Sequence, residues 1–194
     1  MMMTTTTPSV PKTVPAATRS SMTTVRQAFA GVPLRAQALV ASPLGPLTAM
    51  ATARGLAGLW FDDQLHHPGA LDAPVNASDP HIVSIERWLE AYWRGREPAM
   101  QSVTLDLHGS PFQRAVWAAL LAIPFGHTRS YGQVAAQVGN GAVPRATGTA
   151  IGRNPVSILV PCHRVIGANG SLTGYAGGLH RKQRLLQHEG VLLA

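Results

Sequence analysis

Residues 110–155 read SPFQRAVWAALLAIPFGHTRSYGQVAAQVGNGAVPRATGTAIGRNP, and they decide the fold because they predict three helices in close succession. A serine followed three residues later by glutamine forms a capping box at Ser110 and again at Ser130, and each box predicts a helix start. After a glycine-rich break, Pro144 predicts a third helix that runs to about residue 153. Two short helices joined by a glycine turn are typical of a helix-turn-helix, and an ordinary helical hairpin fits the same pattern.

The third of these helices is almost free of bulky side chains. Arg145 and Arg153 lie at its two ends, and the residues between them are small, including Ala146 and Gly148. Each internal glycine costs about 1 kcal/mol of helix propensity, a cost that is explained if another backbone must approach closely. DNA and a tightly packed helix would both explain it. The terminal arginines favour DNA, because phosphates or an opened base stack need guanidinium groups.

Charge is divided unevenly along the chain. Residues 1–34 carry a net charge of +3, residues 35–106 carry −3, and residues 107–194 carry +7, with Glu189 as their single acidic residue. A basic half next to a mildly acidic half is typical of a polyanion-binding unit attached to a scaffold, although a generally basic surface gives the same distribution. No window has the roughly 18 to 20 apolar residues that a membrane helix needs.

Cys162 is the only cysteine, which excludes an internal disulfide and a cysteine-rich zinc site and favours a reducing, cytoplasmic compartment. A lone thiol is most often a buried structural residue. Here Pro161 fixes the backbone before the thiol, His163 supplies a base and Arg164 adds positive potential. These neighbours favour the thiolate, which is the nucleophilic form.

A histidine base works best when a carboxylate fixes its tautomer and stabilises its charged form. Glu189 is the sole carboxylate of the basic half, so it is the candidate partner of His163. A surface ion pair of Glu189 with Arg181 or Lys182 is an equally good interpretation of the spacing. His188 is a second candidate base.

The first half of the chain predicts a small antiparallel meander followed by a helix. Asp79 and Pro80 predict the N-cap and first turn of that helix, whose apolar stripe is expected to be core. Further short strands are predicted at residues 103–107 and 156–160. The meander strands are RAQALVAS (35–42), LTAMATA (47–53) and LAGLWF (56–61), and the helical stripe is Ile82, Ile85, Trp88, Leu89 and Tyr92.

Charge and pattern both change at residue 108, where we place a domain boundary. Residues 34–107 are expected to form an α/β scaffold domain, and residues 108–194 a basic, mostly helical domain. Residues 1–33 are expected to be a disordered leader. Their Thr/Ser-rich, acid-free composition also weakly resembles an organellar transit peptide, and Met22 is an alternative first residue.

The basic half resembles the O6-alkylguanine-DNA alkyltransferase family, also called methylated-DNA–protein-cysteine methyltransferases. The resemblance covers residues 103–190 and rests above all on Pro-Cys-His-Arg-Val at 161–165, while residues 35–100 resemble the amino-terminal domain of the family more loosely. It implies a mixed α/β (α+β) fold, with a small antiparallel-sheet, ribonuclease-H-like first domain and a mostly helical second domain that holds a winged-helix-like helix-turn-helix. The other matching segments are SPFQ (110–113), SYG (130–132), RATG (145–148), NP (154–155), GYAGG (174–178) and HEG (188–190).

The resemblance implies direct-reversal DNA repair with one turnover per molecule. The alkyl group on guanine O6, and as a further candidate that on thymine O4, would move to the sulfur of Cys162. His163 would deprotonate the thiol through a water, and Glu189 would orient His163. No cofactor and no metal are expected. The expected partner is double-stranded DNA bearing O6-alkylguanine, bound through its minor groove by a monomer, so that the cytoplasmic protein would associate with the nucleoid.

The resemblance also assigns the residues that would handle DNA. Tyr131 would contact guanine N3, Asn154 would hold the turn between recognition helix and reactive strand, and Arg145 would fill the gap left by a flipped nucleotide. Further expected contacts to DNA and to the base come from Ala146, Gly148, Arg153, Val165, Tyr175 and Ala176.

Two rival functions share these residues. Alkyltransferase-like proteins bind the lesion without transferring its alkyl group, but they replace the reactive cysteine that this chain keeps. A thiol hydrolase that uses Cys162, His163 and Glu189 would release its product and turn over repeatedly.

Overall fold

The sequence folds into a small antiparallel sheet followed by a group of helices, and the computed structural model describes residues 27–96, 98–139 and 143–192. The strands are β1 (Leu34–Val40), β2 (Leu47–Thr52), β3 (Leu56–Phe61), β4 (Arg129–Ser130) and β5 (Val165–Ile166). The helices are α1 (Pro80–Trp93), α2 (Pro111–Leu121), α3 (Tyr131–Val138), α4 (Pro144–Gly152) and α5 (Leu179–His188), with single 3₁₀ turns at Met100–Ser102 and Cys162–Arg164. The mixed α/β fold class is confirmed.

The three predicted strands of the first half form a meander in the order β1-β2-β3, each pair antiparallel. Every residue of β3 is buried, because this strand lies between β2 and a segment of the second half. The helix α1 starts as predicted: the Asp79 side chain accepts a hydrogen bond of 2.9 Å from the backbone of His81, and Pro80 opens the first turn. The five residues of its apolar stripe are all buried.

Both predicted capping boxes are present at the starts of α2 and α3. The Ser110 hydroxyl accepts from the Gln113 backbone N–H while the Gln113 side chain accepts from the Ser110 backbone, and Ser130 and Gln133 repeat the arrangement. The turn predicted after α3 begins at Gly139, in the left-handed region with φ of 69°; residues 140–142 lie outside the described residues.

The spacing of Phe112, Val116, Leu120 and Ile123 predicts one apolar face for α2, and Phe112 departs from it. Val116, Leu120 and Ile123 are buried as expected, but Phe112 is 36% exposed. It lies in the first turn of the helix, where it lines a shallow surface cavity with residues of α4 instead of facing the core. The predicted face is therefore right for the body of α2 and wrong for its first turn.

The two short strands predicted at residues 103–107 and 156–160 are absent; each segment makes only one isolated bridge, to Leu56 and Leu59 of β3 respectively. After its bridge the second segment turns, with Ile158 in the left-handed region at φ of 69°. Residues 156–160 are apolar because they are buried, and burial does not require an extended backbone.

Buried side chains from the sheet, from α1 and from the second-half helices form one continuous cluster. The domain division at residue 108 stays a prediction.

Phe29, inside the stretch predicted to be a disordered leader, is 6% exposed and packs edge-on against Trp60 at 6.0 Å, so the predicted leader extends too far. Residues 1–26, which include Met22, lie outside the described residues. Among the helices that the structure describes, none combines the length and apolar character needed to cross a membrane.

Candidate active site

Cys162 is the first residue of a 3₁₀ turn, and its side chain is buried, with 5% of the residue exposed. Asn154, which follows α4, donates a hydrogen bond of 3.1 Å to the sulfur and one of 2.7 Å to the carbonyl of Val160. Its own carbonyl accepts from the backbone of Val156 at 3.0 Å. The single amide of Asn154 therefore ties the end of α4 to the reactive turn, which is the contact that the family resemblance implies.

The thiol of Cys162 is neutral at rest, which corrects the expectation of a thiolate. Burial raises the pKa of Cys162, and the Asn154 hydrogen bond and the positive charge of Lys182 oppose this only in part. Arg164, expected to lend its charge to the sulfur, instead pairs with Glu189 through Nε at 2.8 Å. The sulfur thus needs a base before it can act as a nucleophile.

His163 and Glu189 form the pair that the sequence predicts. His163 Nε2 lies 2.7 Å from Glu189 Oε1, and both side chains are fully buried. Because a carboxylate only accepts hydrogen bonds, we assign the proton to Nε2, which leaves the lone pair on Nδ1. Within the described residues Nδ1 has no hydrogen-bond partner. Burial lowers the pKa of His163 despite the opposing effect of Glu189, so the ring is neutral near pH 7 and able to take a proton.

Glu189 is held as a carboxylate by donors on both oxygens. Burial would raise its pKa, but the hydrogen bonds and charges of His163 and Arg164 outweigh it and lower the pKa of Glu189 to about 2. Oε1 also accepts from the hydroxyl of Tyr92 at 2.7 Å, and Oε2 from the backbone of Gly126 at 3.3 Å. Glu189 caps the end of α5, so the helix positions it.

The alternative partners considered for Glu189 are engaged elsewhere. Arg181 pairs with Asp63 at 2.7 Å and donates to the carbonyls of Leu44 and Gly177 at 2.9 Å. His188, the second candidate base, donates through Nε2 to a backbone carbonyl of α1 at 2.7 Å. The surface ion pair considered for Glu189 is therefore wrong.

Lys182 belongs to the site, although the sequence predicted no role for it there. It is fully buried, and its ammonium donates to the carbonyls of Val165 and Thr173. Burial lowers its pKa to about 8, while the nearby Cys162 raises it. The helical spacing of Lys182, Leu185 and Leu186 on one face of α5 is the signal that would have placed it inside.

Tyr131 contacts the segment that directly precedes Tyr175. The hydroxyl of Tyr131 donates to the carbonyls of Thr173 at 3.0 Å and Gly174 at 3.1 Å. Burial raises its pKa, so it stays protonated. Tyr175 is half-buried, with its ring centroid 6.5 Å from that of His163, and Tyr175 and Ala176 line a cavity of about 280 Å³.

The surface of α4 fits the predicted DNA face. Arg145 and Ala146 are exposed, and Arg153 is half-buried at the other end. Gly148 faces the Tyr131 ring: a Cβ built there would lie 3.5 Å from the ring, an ordinary contact. The small residues of α4 therefore fit both explanations that the sequence offers: they leave an open outer face, and they allow close packing on the inner face.

The comparisons with known proteins agree with this site. The family model for the 6-O-methylguanine DNA methyltransferase DNA-binding domain matches residues 111–191. A methylated-DNA–protein-cysteine methyltransferase of Mycobacterium leprae is 48% identical over 149 residues, which are 76% of this chain and 88% of the relative. One from Salmonella typhimurium is 43% identical over 164 residues, 79% and 95% of the two chains.

A solved structure extends the likeness to three dimensions. The OGT of Mycobacterium tuberculosis, crystallised in complex with DNA, has a TM-score of 0.71 and 43% sequence identity, and the match covers 79% of this chain and 92% of that one. The family-model match spans Cys162, His163 and Glu189 as well as helices α2 to α4 before them. On the strength of these matches, the chain belongs to the methylated-DNA–protein-cysteine methyltransferase family.

Proposed function

We propose that this chain repairs O6-alkylguanine in double-stranded DNA by moving the alkyl group to the sulfur of Cys162, once per molecule. The observation that carries the proposal is the buried relay at the reactive turn: Asn154 donates to the sulfur, and the next residue, His163, is bound to an ionised Glu189. A relay of this kind makes a nucleophile from a thiol that is neutral at rest.

The chemical step begins with the transfer of the Cys162 proton to Nδ1 of His163 through a bridging water. Glu189 stabilises the imidazolium that forms, because its carboxylate already binds Nε2. The thiolate then attacks the alkyl carbon in line with the C–O bond. A sulfur–carbon bond forms, the carbon–oxygen bond breaks, and its electron pair passes to guanine.

The departing guanine needs a proton as it gains negative charge. Tyr131 supplies it at N3, since its hydroxyl is protonated and lies beside the loop of Thr173 and Gly174. The proton that His163 took from Cys162 then passes through solvent to the Tyr131 phenolate, so the net reaction moves one alkyl group to sulfur and one proton to guanine. The carbon–sulfur bond of the thioether product is stable to water, so the alkyl group stays on Cys162 and the protein acts once.

The base reaches the thiol only after it leaves the duplex, because an alkyl group within the base stack is closed to in-line attack. We assign Arg145 to the gap that the flipped nucleotide leaves, and Ala146, Gly148 and Arg153 to the surface that meets the minor groove. The exposed start of α4 supports this assignment.

The flipped base would lie against Tyr175, whose ring centroid is 6.5 Å from that of His163, and against the backbone of Ala176. The carbonyls of Cys162 and Val165 would accept the exocyclic amine of guanine. Each already accepts one hydrogen bond, from Val165 N–H and from Lys182 respectively, and each keeps a second lone pair. We infer that the protein acts as a monomer, without metal or cofactor.

Mass spectrometry of the intact protein tests the proposal. After incubation with duplex DNA that carries O6-methylguanine, we expect one adduct in which a methyl replaces a hydrogen, mapped by peptide analysis to Cys162. Cys162→Ala is expected to bind the same duplex and gain no adduct. Repeated release of an alcohol would support the hydrolase instead, and lesion binding without an adduct would support the binding protein.

A further inference from the structure

Tyr92 enters the site from the first half of the chain. It lies on α1, is fully buried, and donates from its hydroxyl to Oε1 of Glu189 at 2.7 Å. The same oxygen binds Nε2 of His163, also at 2.7 Å. The phenol and the imidazole therefore share one acceptor, although their positions in the sequence are far apart.

The position of this hydroxyl is fixed by contacts that do not involve Glu189. The backbone carbonyl of Tyr92 accepts from His188 Nε2 at 2.7 Å. Its ring stacks on Trp88, with centroids 5.4 Å apart and 12° between the planes, and meets Phe125 edge-on at 5.9 Å. A donor on so constrained a ring can hold the carboxylate in one orientation.

We propose that Tyr92 is a positioning residue for thiol activation: it fixes Oε1 of Glu189 and shares its negative charge, so that His163 stays neutral until it takes the proton of Cys162. The inference rests on the proposed function and names a contribution of the scaffold half to the chemistry. Tyr92 acts through Glu189 and not on the alkylated base.

The physical reason lies in competition for one oxygen. Each donor on a carboxylate weakens the pull of that carboxylate on its other donors, so the hydroxyl of Tyr92 limits how strongly Glu189 favours the imidazolium. Burial and the charge of Glu189 raise the pKa of Tyr92 far above its ordinary value, and the hydroxyl therefore remains a donor at every working pH.

Removal of this hydroxyl leaves the rest of the site's charges in place. Arg164 still binds both oxygens of Glu189, with Nε at 2.8 Å and Nη2 at 3.1 Å. The other titratable groups around the pair are Cys162 and Tyr175 from the reactive turn and its neighbouring loop, and Lys182 and His188 from α5.

Tyr92→Phe tests the inference, because it deletes one oxygen and keeps the stacked ring. We would measure transfer to free O6-benzylguanine in single-turnover reactions across about pH 5 to 9, where a histidine base changes charge. The acid limb of the rate profile is expected to move up by about one pH unit, which lowers transfer near pH 6 by up to about tenfold and leaves the alkaline plateau nearly unchanged.

Ile85→Val is the matched control, because Ile85 is a buried residue of the same helix and its substitution by valine removes no hydrogen-bond donor. It is expected to lower the melting temperature and leave the shape of the pH profile unchanged. A Tyr92→Phe profile that superimposes on the wild type, or a loss equal at all pH values, would overturn the inference. Lack of transfer by the unmodified chain would instead contradict the proposed function itself.

Discussion

The relay at Cys162 and the exposed face of α4 satisfy their polar groups in opposite ways. In the relay, Glu189 accepts hydrogen bonds from His163, Arg164 and Tyr92 inside the protein. On α4, Arg145 extends into solvent. The chemistry is thus assembled before DNA arrives, while recognition is left for DNA to complete. Substitutions in the relay should lower both the stability of the protein and the rate of alkyl transfer. Substitutions on the exposed face of α4 should weaken only the binding and repair of DNA.

Glu189→Gln should give the largest effect of any change that leaves the sulfur in place. The amide cannot stabilise the imidazolium, so transfer is expected to fall by about 10²- to 10⁴-fold. Arg164 loses its buried counter-charge, which should lower the free energy of unfolding by about 3–5 kcal/mol. Single-turnover transfer assays measure the change in rate, and urea unfolding measures the change in the free energy of unfolding.

Glu90→Gln is the control for this variant, because Glu90 and its partner Arg94 are both 67% exposed and lie 3.9 Å apart. We expect unchanged transfer and a change in stability within about 0.5 kcal/mol. If Glu189→Gln behaved like this control, Glu189 would contribute neither to alkyl transfer nor to stability, and its role in the relay would be contradicted.

A fall in pH should lower the stability of the protein, as Glu189→Gln does, because it protonates Glu189. The folded-state pKa of Glu189 is about 2, below the value of about 4.3 in an unfolded chain, so its contribution of about 3 kcal/mol is present above pH 4.3 and lost as pH falls toward 2. His163, whose pKa burial lowers, adds a loss that begins below its unfolded value of about 6.5.

Unfolding measured at several pH values checks this expectation. The stability of the wild type should decline from about pH 6.5 downward and fall further below about pH 4.3. The second decline should be smaller in Glu189→Gln, and what remains comes from other paired carboxyls such as Asp63 and Asp106, whose pKa values are also lowered. Parallel curves for the two proteins would contradict the assignment of that decline to Glu189.

Arg145→Ala tests the role of the exposed face of α4 in DNA repair. Because only duplex DNA leaves a gap to fill, repair of a methylated duplex is expected to fall by about 10- to 100-fold, the equivalent of 1–3 kcal/mol of lost support for the flipped state. Reaction with free O6-benzylguanine and the melting temperature should stay unchanged. An equal loss on both substrates would contradict the role given to Arg145.

The smallest expected effect concerns Arg153 and salt. Duplex affinity should fall linearly with the logarithm of salt concentration, and Arg153→Ala should reduce that slope by about 1 if its guanidinium meets one phosphate. Titrations of unmodified duplex at several salt concentrations measure the slope. A slope near zero in the wild type would show that this face does not bind the DNA backbone.

The sequence predicts best what local chemistry decides. The capping boxes at Ser110 and Ser130 define their helices through contacts within four residues, and the structure confirms both. The pairing of His163 with Glu189 was also found, because the basic half contains one carboxylate. Composition left only one carboxylate to consider, but it did not decide between His163, Arg181 and Lys182 as the partner of that carboxylate.

What the sequence predicts poorly depends on burial. Residues 156–160 are apolar in a strand and in a buried loop alike, so their pattern could not distinguish the two. The protonation of Cys162 follows from desolvation, which adjacent residues do not reveal. Tyr92 was predicted as core, and it is core, but its hydroxyl reaches a site in the other half of the chain.

The buried, neutral sulfur has a consequence for the life of the molecule before it meets damage. Oxidants and disulfides attack thiolates in proportion to their abundance and accessibility, and Cys162 offers little of either while it waits. A protein consumed by its own reaction is useful only while unspent. The same desolvation that disfavours ionisation of the thiol therefore protects unused repair protein against peroxide and glutathione disulfide.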